Sequence, residues 1–284
     1  MKSDRPEGDK ASEPPRIDPE ILAAVLGQVR AALARHRRRP VVIGLCGAQG
    51  SGKSTLAAAL AEALSREGLP AATLSLDDIY LTRDERMALA RDVHPLLATR
   101  GVPGTHDISL GLEVLDDLES GLPVALPRFD KARDERVAER DWPIVDPGCE
   151  VVLLEGWCLG ALPQPPGDLL QPVNALEAEA DADAHWRSFV NDTLGDAYQR
   201  LFARIDRLVL LAAPGFEVVQ GWRAEQERGL VLGDEGARRM DDDEIARFVA
   251  HYERLTRWIL KEMPARADLV IRLDDQRRPL QSTS

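Results

Sequence analysis

Residues Gly47-Ala48-Gln49-Gly50-Ser51-Gly52-Lys53-Ser54-Thr55 place three glycines, a lysine and two adjacent hydroxyls in the spacing G-x-x-x-x-G-K-S. Glycine opens backbone angles closed to other residues, so successive N–H groups can turn inward toward phosphate oxygens. Lys53 has the reach for β- and γ-phosphates, and the Ser54 hydroxyl suits Mg²⁺. The chain's own residue frequencies give roughly 0.002 chance occurrences of this pattern, which makes coincidence the weaker account. The segment reads as a nucleoside-triphosphate cradle, with ATP and Mg²⁺ as its ligands.

Carboxylates follow at two further places. Asp77-Asp78 and Glu155 each close an apolar run. Beside a phosphate cradle, one carboxylate can take a proton from an acceptor hydroxyl while another supports Mg²⁺. The bland reading of Asp77 and Asp78 is a turn or helix-cap pair. Glu155 resists such a reading, because an ionised group after four apolar residues is costly without a partner. Arg223 lies in an amphipathic stretch where a cation can meet a transferring phosphoryl group, against the alternative of a surface pair with Glu227 four residues on.

Positioning these groups requires strands that end together. Val41 to Gly47, Ala71 to Leu76, Val151 to Glu155, Leu208 to Ala213 and Leu269 to Leu273 are apolar runs without alternation, the pattern of strands buried on both faces. Helical segments separate them. Asp18-Pro19-Glu20 opens the first as cap, first-turn proline and first-turn acid, and Leu110 to Leu118 and Asp242 to Lys261 form others. The acidic run Asp241 to Glu244 reads as a helix first turn set against the dipole rather than a metal site. The expected fold is α/β: a three-layer P-loop NTPase with a mostly parallel sheet and helices on both faces. Residues 1–17, polar and proline-rich, are expected to be a disordered tail, with 18–284 one domain. The intervals 94–108 and 158–184 lack periodicity, and substrate loops or a lid are expected near 94–140 and 158–190.

Composition narrows the partners. Asp and Glu number 48 against 36 Lys and Arg, a net charge of −12, so nucleic acid is an unsuitable partner. The basic run Arg35-His36-Arg37-Arg38-Arg39 reads as a solvated helix end. No apolar run is long enough to span a bilayer. Three cysteines, Cys46, Cys149 and Cys158, without C-x-x-C spacing, and an N-terminus charged from Lys2, point to a reduced cytoplasmic setting. No guanine-specific N-K-x-D loop is present, and the strand ending Leu154-Glu155-Gly156 departs from the motor-ATPase pattern, so a small-metabolite kinase is the better expectation.

Ser75-Leu76-Asp77-Asp78-Ile79-Tyr80-Leu81-Thr82 resembles the S-x-D-D-F-Y-L-T segment of D-glycerate 3-kinases. The resemblance continues through His94-Pro95-Leu96-Leu97, Arg100 to Asp107, Pro127 to Lys131, Leu154 to Gly160, Pro172-Val173-Asn174 and Trp222 to Glu227. These kinases group with phosphoribulokinase, uridine kinase and bacterial pantothenate kinase. The resemblance implies that Asp77 is the catalytic base and that the acceptor is D-glycerate, phosphorylated on its third hydroxyl. Ile79 replaces the family's aromatic, and the charged segment from Lys131 to Pro143 shows little of the pattern.

A small carboxylate acceptor calls for Arg or Lys in its pocket, with Arg100, Arg128 and Lys131 the candidates. Asp78, Tyr80, Thr105, His106, Asp107 and Trp157 complete the expected acceptor site; the bland alternatives are that Thr105 or Asp107 caps the following helix and that Trp157 only packs. Few aromatics lie near these loops, which disfavours a stacked nucleobase. The alternatives are a kinase of pantothenate, a nucleoside or a sugar, and a nucleotide-binding regulatory protein without turnover.

Overall fold

The computed structural model describes residues 17–228 and 240–280. The expected disordered tail therefore lies, Ile17 apart, outside the described residues. Five parallel strands form the central sheet: β1 (Val41–Gly47), β2 (Ala71–Ser75), β7 (Val151–Gly156), β8 (Arg207–Ala212) and β9 (Leu269–Arg272). Their order is β2-β7-β1-β8-β9, which sets the phosphate-loop strand at the centre. Four two-residue strands, β3 (Val124–Ala125), β4 (Phe129–Asp130), β5 (Glu135–Arg136) and β6 (Ile144–Val145), pair antiparallel as β3–β6 and β4–β5.

Alternation along each strand sends successive side chains to opposite faces. Val41, Ile43 and Leu45 pack with Leu56, Leu60 and Leu64 of α2 (Lys53–Arg66) and Val25 and Val29 of α1 (Pro19–Arg35). Val42, Cys46, Val152, Leu154 and Leu210 face the other way. They meet α4 (Ile108–Ser120), α7 (Ala197–Phe202) and α10 (Glu253–Glu262). The remaining helices are α3 (Arg83–Asp92), α5 (Ala175–Ala180), α6 (His185–Gly195), α8 (Glu217–Arg228) and α9 (Asp242–Ala250). With both faces covered, this is the α/β P-loop NTPase arrangement, and it explains why the strands read as unbroken apolar runs.

Local signals held at several helix starts. Asp18 caps α1 by accepting from Glu20 N–H, and Asp241 with Glu244 forms a capping box on α9. The single helix expected from Asp242 to Lys261 is instead two, α9 and α10. The chain turns at His251-Tyr252 because Tyr252 is drawn inward, where its hydroxyl donates to the Arg100 carbonyl at 2.9 Å and its ring meets Trp157 edge-on. The interval 158–184, expected to be irregular, contains α5 and a 3₁₀ turn at Pro166–Leu169. The basic run is more than a solvated helix end. Arg38 reaches Glu119 at 2.6 Å, and Arg39 donates to the Leu33 and His36 carbonyls, closing the α1 terminus.

Candidate active site

The β1–α2 loop has the backbone of a phosphate cradle. Gly50 and Gly52 take φ of 74° and 95°, the left-handed region that favours glycine. Close packing closes the same positions to larger residues. A Cβ on Gly47 would lie 2.7 Å from Ser51 Oγ, and one on Gly50 would lie 2.7 Å from Trp222 Cβ. Lys53 Nζ donates to the Ala48 carbonyl at 3.1 Å, arched over the loop. Gln49 Oε1 and Ser51 Oγ are buried with no hydrogen-bond partner among the described residues, so polar capacity in this loop is unspent. Arg277 braces the cradle from the C-terminal turn, donating to the Gly50 carbonyl at 2.6 Å with its guanidinium 5.1 Å from the Trp222 ring centroid. Gly50→Ala should cost about 1–2 kcal/mol for the left-handed angle alone. It should also abolish the melting-temperature rise on adding Mg-ATP; full retention of that rise would contradict the cradle reading.

Ser54 Oγ donates to Glu155 Oε1 at 2.9 Å, joining the first turn of α2 to the end of β7. Glu155, although buried, has its partner there. A hydroxyl beside a carboxylate is an oxygen donor set suited to Mg²⁺, which keeps waters and nucleotide phosphates as its other ligands. No cluster of three or more His, Cys, Asp or Glu side chains able to hold a metal occurs among the described residues.

Asp77 and Asp78 occupy a 3₁₀ turn, Leu76–Ile79, at the end of β2. Ser75 caps the turn, so the two carboxylates are not spent as caps. Asp77 Oδ1 accepts from the Tyr80 hydroxyl at 2.6 Å and Oδ2 from Lys131 Nζ at 2.5 Å. Burial pushes its pKa up, but the Lys131 ammonium, the Tyr80 hydroxyl and the Lys53 charge outweigh that and hold it below the usual carboxylate range. Asp78 differs. Burial raises it to about 6 against the opposing Arg128 charge and Phe129 N–H, with the Asp77 charge adding to the rise. Arg128 lies 3.4 Å from Asp78 and donates to its own Pro127 carbonyl at 2.7 Å. Neighbouring carboxylates thus sit in opposite protonation environments.

The other expected acceptor residues divide. Arg100 pairs with Asp134 and lies over the Phe129 ring, so its guanidinium is already engaged. Thr105 is fully buried, and its hydroxyl accepts from Gly101 N–H and donates to the Val102 carbonyl, closing the turn. Asp107 caps α4 through Leu110 N–H and pairs with Arg136. Trp157 is buried and donates to the Gly101 carbonyl at 2.7 Å. These three side chains are thus engaged in bonds within the protein. Arg223 lies in its pair with Glu227, 2.7 Å away, over the Phe248 ring. Aromatics are more numerous here than the loop sequences imply. Tyr80 stacks on His106 at 4.7 Å and meets Phe129 edge-on at 5.2 Å, all three buried beneath the carboxylates.

His106 is part of that foundation. The Tyr198 hydroxyl accepts from Gly104 N–H and lies 2.5 Å from His106 Nδ1. That contact ties the imidazole to the α7 face, while Nε2 is buried with no hydrogen-bond partner among the described residues. Burial lowers the His106 pKa from 6.5 to about 4, opposed by the Asp77 charge. Because the folded value is the lower one, the unfolded chain binds the proton first on acidification. The residue's contribution to stability is complete above about pH 6.5 and drains as pH falls toward about 4. Urea unfolding at pH 7 and pH 4.5 should show a larger loss for the wild type than for His106→Asn; equal losses would contradict this.

Several residues at the site carry no signal in the sequence. Asp134, at φ 55°, gathers Arg86 and Arg100, and Arg136 donates to the Tyr80 carbonyl and to Asp107. They fall in the charged, aperiodic segment after Lys131. The positive φ of Asp134 is a property of the folded turn.

The phosphoribulokinase / uridine kinase family profile matches residues 42–161. The chain is 36% identical over 230 residues to the protein of Schizosaccharomyces pombe called uncharacterized kinase mug58, covering 75% of this chain and 79% of that one. It is 31% identical over 260 residues to the chloroplastic D-glycerate 3-kinase of Arabidopsis thaliana, covering 85% of this chain and 54% of the relative. Among solved structures, D-glycerate 3-kinase from Cryptococcus neoformans var. grubii superposes with a TM-score of 0.75 at 26% identity, covering 92% of this chain and 97% of that one. No helix among the described residues is long and apolar enough to cross a membrane. With its phosphate cradle, strand order and paired carboxylates, the chain belongs to the phosphoribulokinase / uridine kinase family of P-loop kinases, ATP-dependent phosphotransferases, and has D-glycerate 3-kinases among its homologues.

Proposed function

We propose that this kinase phosphorylates a hydroxyl of a small carboxylic acid, with D-glycerate converted to 3-phosphoglycerate as the reaction. The observation that carries the reading is the pairing of two carboxylates with two cations on one wall: Asp77 with Lys131, and Asp78 with Arg128. Such a wall offers a proton acceptor and a carboxylate anchor a few ångströms apart, as a short hydroxy acid requires. The homology to D-glycerate 3-kinases supports the same acceptor.

Residues Gly47 to Thr55 would hold the triphosphate, and Ser54 with Glu155 would hold Mg²⁺. Held there, the ion would supply neutralisation of the phosphate charge. Asp77 orients the acceptor hydroxyl and takes its proton as that oxygen bonds to the γ-phosphorus and the bond to the bridging oxygen of ADP breaks. Lys53 stabilises charge on the transferring group, joined by Arg223 if it leaves Glu227. Arg128 and Lys131 anchor the acceptor carboxylate, whereas Arg100, engaged with Asp134, positions the hairpin that carries them.

Coupled ADP release with Mg-ATP should respond to D-glycerate and not to L-glycerate, pantothenate, uridine or ribulose 5-phosphate. Release with another member of that panel would reassign the acceptor. Nucleotide binding with no acceptor-dependent release from any acid would point instead to a regulatory protein.

A further inference from the structure

Both oxygens of the Asp77 carboxylate are occupied, one by the Tyr80 hydroxyl and one by the Lys131 ammonium. Each oxygen keeps a second lone pair, but an ammonium 2.5 Å from Oδ2 opposes protonation there, so the base takes a hydroxyl proton well only when such a partner withdraws. Tyr80 cannot readily withdraw, since it is buried between the His106 and Phe129 rings. Lys131 can. Its side chain is 54% exposed, and that of Asp77 is 34% exposed. The β4–β5 hairpin beneath Lys131 is fixed without it. Arg86 bonds the Asp134 carbonyl and carboxylate, Arg136 donates to the Tyr80 carbonyl at 2.9 Å, and Val137 N–H donates to the Arg128 carbonyl at 2.8 Å.

We infer that the acceptor's own carboxylate draws Lys131 off Asp77, so that an acid substrate frees the base that will act on it while a neutral polyol leaves the base covered. The inference rests on the acid-acceptor reading above. Lysine suits the exchange: its flexible stem swings one ammonium between two carboxylates, where an arginine fork would hold one geometry. Arg128 stands ready for the second carboxylate oxygen, since its contact with Asp78 is long at 3.4 Å. After the exchange, Asp77 Oδ2 is free to receive the hydroxyl proton as the new oxygen–phosphorus bond forms and ADP departs. Selectivity for acids would then arise in the chemical step as well as in binding.

Calorimetric binding of D-glycerate, in the presence of Mg²⁺ and a non-hydrolysable ATP analogue, is to be measured with turnover of D-glycerate and its neutral amide, D-glyceramide. Lys131→Met should weaken D-glycerate binding roughly 10–100-fold, the worth of a hydrogen bond between charged groups, yet raise turnover of the amide above wild type. Asp77→Asn, slow in turnover, should bind D-glycerate more tightly than wild type, because Lys131 is no longer shared. Weaker acid binding in Asp77→Asn, or parallel loss of acid and amide turnover in Lys131→Met, would overturn the exchange while leaving wild-type glycerate kinase activity intact. A wild type that neither binds nor phosphorylates any small acid would overturn the exchange and the acceptor reading together.

Discussion

Asp77→Asn should leave Mg-ATP binding nearly unchanged and lower turnover by roughly 10²–10⁴-fold, the range for loss of a general base. The amide keeps the size of the carboxylate and can still accept from Tyr80, so the 3₁₀ turn that Ser75 caps should persist. What disappears is the capacity to take a proton. Stopped-flow nucleotide binding and coupled ADP release separate the two effects. Near-normal turnover would transfer the role to Asp78, whose pKa of about 6 already suits proton transfer near neutrality. The paired variant Asp78→Asn then becomes the informative comparison, because only one of the two substitutions should move kcat by the full factor.

Asp181→Ala should destabilise the fold by roughly 3–5 kcal/mol, the cost of leaving one member of a buried ion pair without its partner. The Asp181 side chain is fully buried, and that of Arg187 is 2% exposed. Oδ2 lies 2.9 Å from Arg187 Nη1, and the same carboxylate accepts from Trp186 N–H at 2.7 Å and Arg187 N–H at 3.2 Å. Those two amides open α6, whose own cap position, Ala184, has no side chain able to accept. The substitution therefore removes a counter-ion and a helix cap together. Urea titration should show a lower midpoint with an unchanged m-value. A shift worth less than about 1 kcal/mol would mean that water reaches the guanidinium and the pair is not dry.

Much of the architecture is legible in the chain because it depends on local chemistry. The glycine spacing from Gly47 to Gly52 and the polar strand ends at Asp77 and Glu155 are present before any folding, and apolar runs without alternation require cover on both faces. Helix starts at Asp18 and Asp241 were readable for the same reason, since a cap satisfies N–H groups only two or three residues away. The break at His251-Tyr252 was not, because it depends on where the Tyr252 side chain packs.

Residue types and spacing alone determined a phosphate-loop sequence and carboxylates at the ends of parallel strands. Only the tertiary structure decided the partnership of each charge. Arg100 and Arg128 look equivalent in the sequence, yet one is bound to Asp134 and the other remains near Asp78. Thr105, His106 and Asp107, adjacent in the chain, diverge into a turn closure, a buried neutral imidazole and a helix cap. Lys131 reaches Asp77 across 54 positions. Charge pairing depends on distance and burial in space, and a hairpin without periodicity gives no advance sign of which carboxylate its lysine will meet.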